Sequence, residues 1–253
     1  ISVRDTVTQQ YLVDLGFNDV KLVPDTAFAL PPASESRIQE IAEIEGIPIN
    51  EPFVGFNLGL QFLQHCKATG KDYVEISLAA INRLRSYTGC PIVLIPHQFL
   101  FDEYDYSNVP SYSYEDVDDR YAIDVVWDAT NNREGLFRIN NVYSASELKG
   151  IIGKSEVFVC NRIHPSVAST WHCVPTSIIH FTHKAYGMMD LLGKGDCVWD
   201  INNHSGDSLD SLYSVLDKLW DDRENYRKSL ENIMPSIKSR VFALADEIKI
   251  NVG

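Results

Sequence analysis

The chain has 253 residues, 45% of them hydrophobic and 23% charged, which is enough to bury the core of one large domain or one and a half. Its net charge of −13, from 22 basic and 35 acidic residues, argues against non-specific binding of nucleic acid, which requires a basic face. No apolar run reaches the roughly 18 residues of a membrane span, and the start has no signal-peptide pattern. We therefore expect a soluble globular protein that binds any anionic substrate in a local basic pocket.

The hydrophobic pattern predicts that strands and helices alternate along the chain. The short β-rich runs predicted as strands are 1–3, 20–23, 53–58, 91–97, 136–139, 157–160, 176–180 and 197–199. The stretches predicted as helices are 6–15, 35–45, 71–87, 121–129, 144–152, 166–171, 208–220 and 223–248. Strands that are each followed by a helix indicate an α/β fold with a doubly wound, Rossmann-like parallel sheet.

Local signals support several of these helices. Ser34 can cap helix 35–45, and Ser144 with a glutamate three residues later forms a capping box. Pro235 is expected to kink or divide the last helix. Residues 102–119 are rich in Asp, Glu, Tyr and Ser without periodicity, which predicts a mobile acidic surface loop.

Proline-rich turns on both sides of helix 35–45 suggest a domain boundary there. We expect residues 1–31 to be the end of an N-terminal lobe and 32–51 to be a linker. Residues 52–253 would form a C-terminal Rossmann-like domain with closing helices. The chain begins inside a strand-like run, so we expect that the first lobe is incomplete.

The stretch around Arg162 and His164 is the best candidate for a functional site. The apolar run 157–160 predicts a buried strand, and the polar residues that follow lie where open α/β sheets bind ligands. The helix that begins next offers free N–H groups and a positive dipole end to an anion. The ordinary alternatives are a surface ion pair for the arginine and a structural role for the histidine.

Other polar residues follow the remaining predicted strands. They are Asn57, His97 and the turn from His180 to Lys184. Parallel strands end at one edge of a sheet, so these residues can share a cleft with Arg162 and His164. Lys184 could bind a phosphate, although an isolated lysine is more often simply solvated.

Known motifs restrict the chemistry further. The sequence contains no Walker A motif, no dinucleotide fingerprint and no nucleophile elbow. The histidines lack the spacing of a metal site, so no metal is expected. Five cysteines without a C-x-x-C pair predict reduced, buried thiols in a cytosolic protein.

Several segments in series resemble the polysaccharide pyruvyl transferases. They are 143–154 (YSASELKGIIGK), 157–164 (VFVCNRIH), 174–187 (VPTSIIHFTHKAYG) and 191–193 (LLG), with the shorter matches 2–5 (SVRD), 23–28 (VPDTAF) and 95–97 (IPH). The matches cover essentially the whole chain. Asn161 stands where the family commonly has Ser or Ala, and the family's N-terminal Asn-x-Gly-Asp segment is absent.

This resemblance implies a two-lobed fold like that of the GT-B glycosyltransferases, with the active site between the lobes. It also implies transfer of the enolpyruvyl unit of phosphoenolpyruvate to two hydroxyls of a sugar, which gives a pyruvate ketal and phosphate without a cofactor. The family's Arg-x-His motif falls on Arg162 and His164, and its Ser-x-x-Lys-like turn on Thr182 to Lys184, with Gly187 nearby. We expect His164 to act as general acid and base, and Arg162 with Lys184 to bind the carboxylate and phosphate. His97 is a secondary candidate for substrate binding, and Asn57 a weaker one.

Two other classes of function share these features. A GT-B glycosyltransferase or nucleotide-sugar epimerase would have the same fold and basic pocket, and a non-catalytic glycan-binding domain would use the cleft without turnover. The expected partners are phosphoenolpyruvate and a glycan or lipid-linked saccharide, with no nucleic acid. A cytoplasmic location is expected, and a lipid-linked acceptor would bring the protein to the inner face of the membrane. The sequence does not predict an oligomeric state.

Overall fold

A computed structural model describes residues 1–100, 114–182, 184–203 and 208–252. The strands are β1 (Ser2–Val3), β2 (Lys21–Leu22), β3 (Val54–Asn57), β4 (Ile92–Leu94), β5 (Leu136–Arg138), β6 (Val157–Cys160), β7 (Thr176–His180) and β8 (Val198–Asp200). The α-helices are α1 (Thr6–Asp14), α2 (Glu35–Glu45), α3 (Leu60–Thr69), α4 (Tyr73–Thr88), α5 (Tyr114–Val117), α6 (Asp119–Ala129), α7 (Ala145–Ile152), α8 (Ile163–Trp171), α9 (Lys184–Leu191), α10 (Asp210–Asp221) and α11 (Arg223–Val252).

Six of the strands form one parallel sheet in the order β5-β4-β3-β6-β7-β8. Every residue of β3, β6 and β7 is buried, because the sheet packs against helices and needs apolar residues on both faces. The chain runs outward from β3 to β5 and then returns to place β6 beside β3. This order is that of a doubly wound Rossmann-like sheet, as predicted, and its switch point lies between β3 and β6.

The remaining strands, β1 and β2, form a separate two-stranded parallel sheet. Helix α1 contacts α9, and the 3₁₀ turn Thr26–Ala29 contacts α8 and α11, so the first residues lie against the helices that follow β6 and β7. Helix α2 occupies the predicted linker and packs on α7, with Ile38, Ile41 and Ala42 in the same core as the large sheet. The domain boundaries remain predictions.

Three elements differ from the sequence prediction. Helix α3 was not expected, because it has no local cap. Its first N–H groups are bound by distant side chains, Gly59 by Asn161 and Leu60 by Asp119. Helix α8 begins at Ile163 rather than 166, and its Pro165 is tolerated because a first-turn nitrogen needs no helical partner. Helix α11 is continuous through Pro235, so this proline does not divide it, and a kink there stays a prediction.

The predicted acidic loop was wrong at its C-terminal end. Residues 101–113 lie outside the described part of the chain, but 114–117 and 119–129 are helical. Asp118 and Asp119 are fully buried rather than at a mobile surface. The physical reason is that each carboxylate accepts backbone N–H groups and pairs with an arginine, Asp118 with Arg120 and Asp119 with Arg162.

The predicted caps of α2 and α7 are both present. The Ser34 hydroxyl accepts a hydrogen bond from the Arg37 N–H, and Ser144 forms a reciprocal capping box with Glu147. None of the described helices combines the length and the apolar character that crossing a bilayer requires.

Candidate functional site

A cavity of about 880 Å³ opens at the carboxyl ends of the central strands. It is lined by Arg4, Gln61, Gln64, His65, Ala68, His97, Gln98, Asn161, Arg162, Ile163, His164, His180, Phe181, Thr182 and Lys184. Among these described lining residues are three cations and four histidines but no carboxylate. This acidic protein, with a net charge of −13, therefore has a locally basic cavity at the switch point of its sheet.

Arg162 is the N-cap residue of α8, two positions after the end of β6. Its Nε donates a hydrogen bond to Asp119 Oδ1 at 2.9 Å, and its Nη2 lies 2.8 Å from the same oxygen. Asp119 has no exposed surface and also accepts the N–H groups of Leu60, His97 and Gln98. Burial raises the pKa of this carboxyl, while Arg162 and the N–H groups lower it. One buried carboxylate thus holds the guanidinium at the cavity wall.

Gly59 lets this arrangement form. A Cβ at Gly59 would lie 2.9 Å from Cγ and Nε of Arg162 and 3.1 Å from the Asn161 side-chain oxygen. The Gly59 N–H donates a short hydrogen bond to that oxygen. The turn after β3 therefore packs against the turn after β6 only because residue 59 is a glycine.

His164 lies in the first turn of α8 with 55% of its side chain exposed. Its Nε2 is 3.9 Å from Oδ2 of Asp25, a carboxylate only 9% exposed. The same oxygen accepts a 2.5 Å hydrogen bond from Arg4. The residues near β1 and β2 thus supply a carboxylate and a guanidinium beside the imidazole.

His97 follows β4, and its ring centroid lies 6.4 Å from that of His164 with the planes 22° apart. Burial lowers the pKa of His97 to about 3, helped by the nearby His164 and Arg162. His97 is therefore neutral at physiological pH and can contact a ligand by hydrogen bonding, but it cannot serve there as a proton donor in imidazolium form.

Lys184, the first residue of α9, is exposed and lines the cavity together with Thr182. Between them in the chain, residue 183 lies outside the described residues. His180 is buried at the end of β7, and its Nε2 is 2.5 Å from the Thr182 hydroxyl. Burial lowers the pKa of His180 to about 4, with Lys184 and His65 contributing in the same direction.

The structure does not bring all of the predicted site residues together. Arg162, His164, Lys184 and His97 line the cavity, but Asn57 does not. Asn57 is fully buried and donates a hydrogen bond to the Ile95 carbonyl, so it joins the ends of β3 and β4. Gly187 is buried in α9, where a Cβ would lie 2.7 Å from Cβ of Asp5. Both residues have structural positions outside the cavity.

Sequence reasoning did not identify Asp25 or Asp119 as site residues, and it did not place Arg4 at the cavity. Asp25 follows the run 20–23, so the rule that ligands bind at strand ends could have identified it. Arg4 forms an ion pair with Asp25, and the Asp5 carboxylate caps α1 by accepting the Thr8 N–H. Asp119 has no sequence signal, because its partners lie 21 to 59 positions away in the chain.

No group of three His, Cys, Asp or Glu side chains in the described part of the chain is arranged to hold a metal ion. All five cysteines are free thiols, and Cys66, Cys160 and Cys197 are buried. Burial raises the pKa of Cys66 to about 12, so this thiol is unreactive at neutral pH. The cavity chemistry therefore rests on arginine, lysine and histidine.

Comparison with solved structures shows the fold. The chain is similar to trehalose-6-phosphate from E. coli bound with UDP-2-fluoro glucose, with a TM-score of 0.50 and 11% identity over 91% of this chain and 52% of that one. Trehalose-6-phosphate synthase OtsA gives a TM-score of 0.48 and 13% identity, with 91% and 51% coverage. The first of these similarities shows that the chain has a GT-B-like α/β fold. The chain spans about half the length of both proteins.

Comparison with protein-family models identifies the family of the chain. No curated protein matches the chain significantly. The family model of polysaccharide pyruvyl transferase matches residues 1–179, which include β1 to β6 and the turn that carries Arg162 and His164. On this match, which covers more than half of its length, the chain belongs to the polysaccharide pyruvyl transferase family.

Proposed function

We propose that this protein transfers the pyruvyl unit of phosphoenolpyruvate to two hydroxyls of a sugar, which forms a pyruvate ketal and releases phosphate. The observation that supports it best is a cavity that two arginines, a lysine and His164 face, with no carboxylate among its described lining residues. Asp25, which is not one of these lining residues, lies beside His164. Family membership supports polysaccharide pyruvylation in general. The donor and the ketal product are our proposal.

The donor carries a carboxylate and a phosphate on adjacent groups. Arg162, held by Asp119 through Nε and Nη2, presents the remaining part of a fixed guanidinium to one of these anions. Arg4 and Lys184 supply further positive charge from separate elements. This charge also stabilises the phosphate as it leaves, when negative charge develops on its bridging oxygen. No cofactor takes part in this scheme.

His164 would move the protons. Its imidazolium donates a proton to the methylene carbon of phosphoenolpyruvate, which leaves an oxocarbenium-like centre at the carbon that bears the phosphate. A sugar hydroxyl bonds to that centre and gives its proton back to the imidazole. The bond to phosphate then breaks with its electron pair on phosphate, and the second hydroxyl closes the ketal and loses its proton to phosphate. Asp25 holds the charged imidazole in position during these steps.

The acceptor is a glycan or a lipid-linked saccharide in this proposal. A lipid-linked acceptor would bring the enzyme to the inner face of the membrane, whereas a free glycan would be modified in the cytoplasm. Flotation with vesicles that contain or lack a lipid-linked saccharide distinguishes the two. Co-flotation only with the saccharide-bearing vesicles supports the membrane location.

The experiment that tests the function measures phosphate release from phosphoenolpyruvate in the presence of a panel of glycans. Mass spectrometry of each glycan should show the mass of an added pyruvate ketal. Thermal unfolding with phosphoenolpyruvate and with nucleotide sugars separates the proposal from the glycosyltransferase class, because a bound donor raises the midpoint. Protection by a nucleotide sugar and not by phosphoenolpyruvate would refute the proposal.

A further inference from the structure

One wall of the cavity carries no fixed charge. Helix α3 directs Gln61, Gln64, His65 and Ala68 to the cavity, at the spacing of three and four residues that places side chains on one helix face. The cations of the cavity come from other elements. Arg4 lies in the turn between β1 and α1, and Arg162 and Lys184 lie at the starts of α8 and α9. We call Gln61, Gln64, His65 and Ala68 the α3 wall.

The imidazole of His65 is fixed in place. It stacks on Phe181 with the ring centroids 4.4 Å apart and the planes 15° apart. Its Nε2 lies 3.2 Å from Asn202 Oδ1, and the Asn202 amide in turn donates a 2.9 Å hydrogen bond to the Phe181 carbonyl. Phe181 is itself packed on Phe62, with centroids 6.2 Å apart. The flat ring is therefore ordered before any ligand binds.

Gln64 is oriented in a similar way. Its amide nitrogen donates to the Asp116 carbonyl at 3.3 Å. Glutamine side chains both donate and accept hydrogen bonds without carrying charge. A fixed flat ring beside neutral amides suits a pyranose, because a sugar ring has an apolar C–H face and a rim of hydroxyls. The cationic part of the cavity, in contrast, suits an acidic ligand.

The cavity has room for two ligands. Its volume of about 880 Å³ falls in the range that ordinarily encloses a ligand of drug size, whereas phosphoenolpyruvate is a much smaller molecule. A ketal also requires that the sugar hydroxyls reach the donor carbon, so both substrates must occupy one connected space. His180 lines the same cavity as His65 and Lys184.

We propose that the α3 wall is the acceptor subsite, in which a neutral pyranose stacks on His65 and its hydroxyls bond to Gln61 and Gln64. The inference rests on the proposed function for the identity of the reaction. It adds the position and the chemical class of the acceptor. The donor then occupies the region between Arg162, His164 and Lys184.

The test uses the whole chain and its His65→Ala and His65→Phe variants. Saturation-transfer NMR detects binding of methyl glucoside, methyl galactoside and methyl mannoside, and thermal unfolding detects binding of phosphoenolpyruvate. His65 is on a helix surface, where alanine has the highest helix propensity, so the fold is retained. Gln10→Ala, on the exposed face of α1, is the matched control for Gln61→Ala.

We expect His65→Ala and Gln61→Ala to weaken sugar binding at least ~10-fold, a loss of about 1.4 kcal/mol. The phosphoenolpyruvate midpoint shift should stay unchanged, and His65→Phe should retain sugar binding because it keeps the flat ring. Equal sugar binding in His65→Ala and the wild type, with phosphoenolpyruvate still bound, refutes the subsite alone. Sugar binding that depends on His65 without any response to phosphoenolpyruvate supports the subsite and refutes the proposed donor. A nucleoside that competes with the sugar at His65 would overturn the assignment to a saccharide.

Discussion

Asp119→Asn is the sharpest test of how the site is built. The two carboxylate oxygens accept four hydrogen bonds, Oδ1 from Leu60 N–H and Arg162 Nε and Oδ2 from the N–H groups of His97 and Gln98. An asparagine has one acceptor oxygen, so its amide nitrogen must face one of these two pairs of donors. Whichever way it turns, two buried donors lose their partner and the charge of Arg162 loses its counterion.

Each unsatisfied buried donor costs about 1 to 3 kcal/mol, and breaking a buried ion pair costs about 3 to 5 kcal/mol in total. We therefore expect Asp119→Asn to lose about 3 to 5 kcal/mol of the free energy of unfolding, measured by urea denaturation. Domains ordinarily have about 5 to 15 kcal/mol, so the variant still folds at low temperature. Because Arg162 is no longer held, kcat/KM for phosphoenolpyruvate should fall about 100-fold.

Asp118→Asn is the matched control. Asp118 is the adjacent residue and is also fully buried, but it pairs with Arg120 rather than with Arg162. It should lose stability by a comparable amount while kcat/KM stays within about threefold of the wild type at a temperature where both variants are folded. If Asp118→Asn and Asp119→Asn reduce kcat/KM equally, the effect is general destabilisation and the positioning role of Asp119 is wrong.

His164→Ala should lower turnover at least ~100-fold with an unchanged urea midpoint, and Asp25→Asn should lower turnover by a smaller factor. A near-normal rate in His164→Ala would contradict the assignment of His164 as the general acid. Arg162→Lys should raise the KM for phosphoenolpyruvate about tenfold or more, since an ammonium cannot bond to Asp119 and contact an anion in the fixed geometry of a guanidinium. An unchanged KM would contradict the assignment. The pKa values of His172 and His180 are lowered to about 4 by burial, so the unfolded chain binds protons first as the pH falls. The free energy of unfolding should therefore decrease as the pH falls from 6.5 to 4, by about 1 kcal/mol or more for each histidine at pH 5. His172→Gln should make the urea midpoint depend less on pH. An unchanged slope of midpoint against pH in this variant would refute the linkage.

The sequence was sufficient for the elements that carry their own signals. Buried parallel strands are continuous apolar runs, so β3, β4, β6 and β7 were found close to their observed bounds. Polar residues that follow such runs must lie along one sheet edge. This rule brought Arg162, His164, Lys184 and His97 to the same cavity although they are spread over almost ninety positions.

The same rule failed for Asn57, because the end of a strand fixes the position of a residue and not the direction of its side chain. Asn57 has no exposed surface, and its amide donates a hydrogen bond to the Ile95 carbonyl instead of facing the cavity. Gly187 likewise permits close packing of α9 on Asp5 rather than contact with a ligand. Neither outcome follows from residue type or spacing.

Taken alone, the amino-acid order determined the α/β class, the strand ends and the Arg-x-His turn, because apolar runs and helix caps act between residues that are near in the chain. Only the tertiary structure decided which charges hold that turn in place. Asp119 reaches Arg162 across 43 positions, and Asp25 reaches His164 across 139 positions. Such pairs form because an unpaired buried charge is costly, and packing, not local sequence, selects the partner that removes the cost.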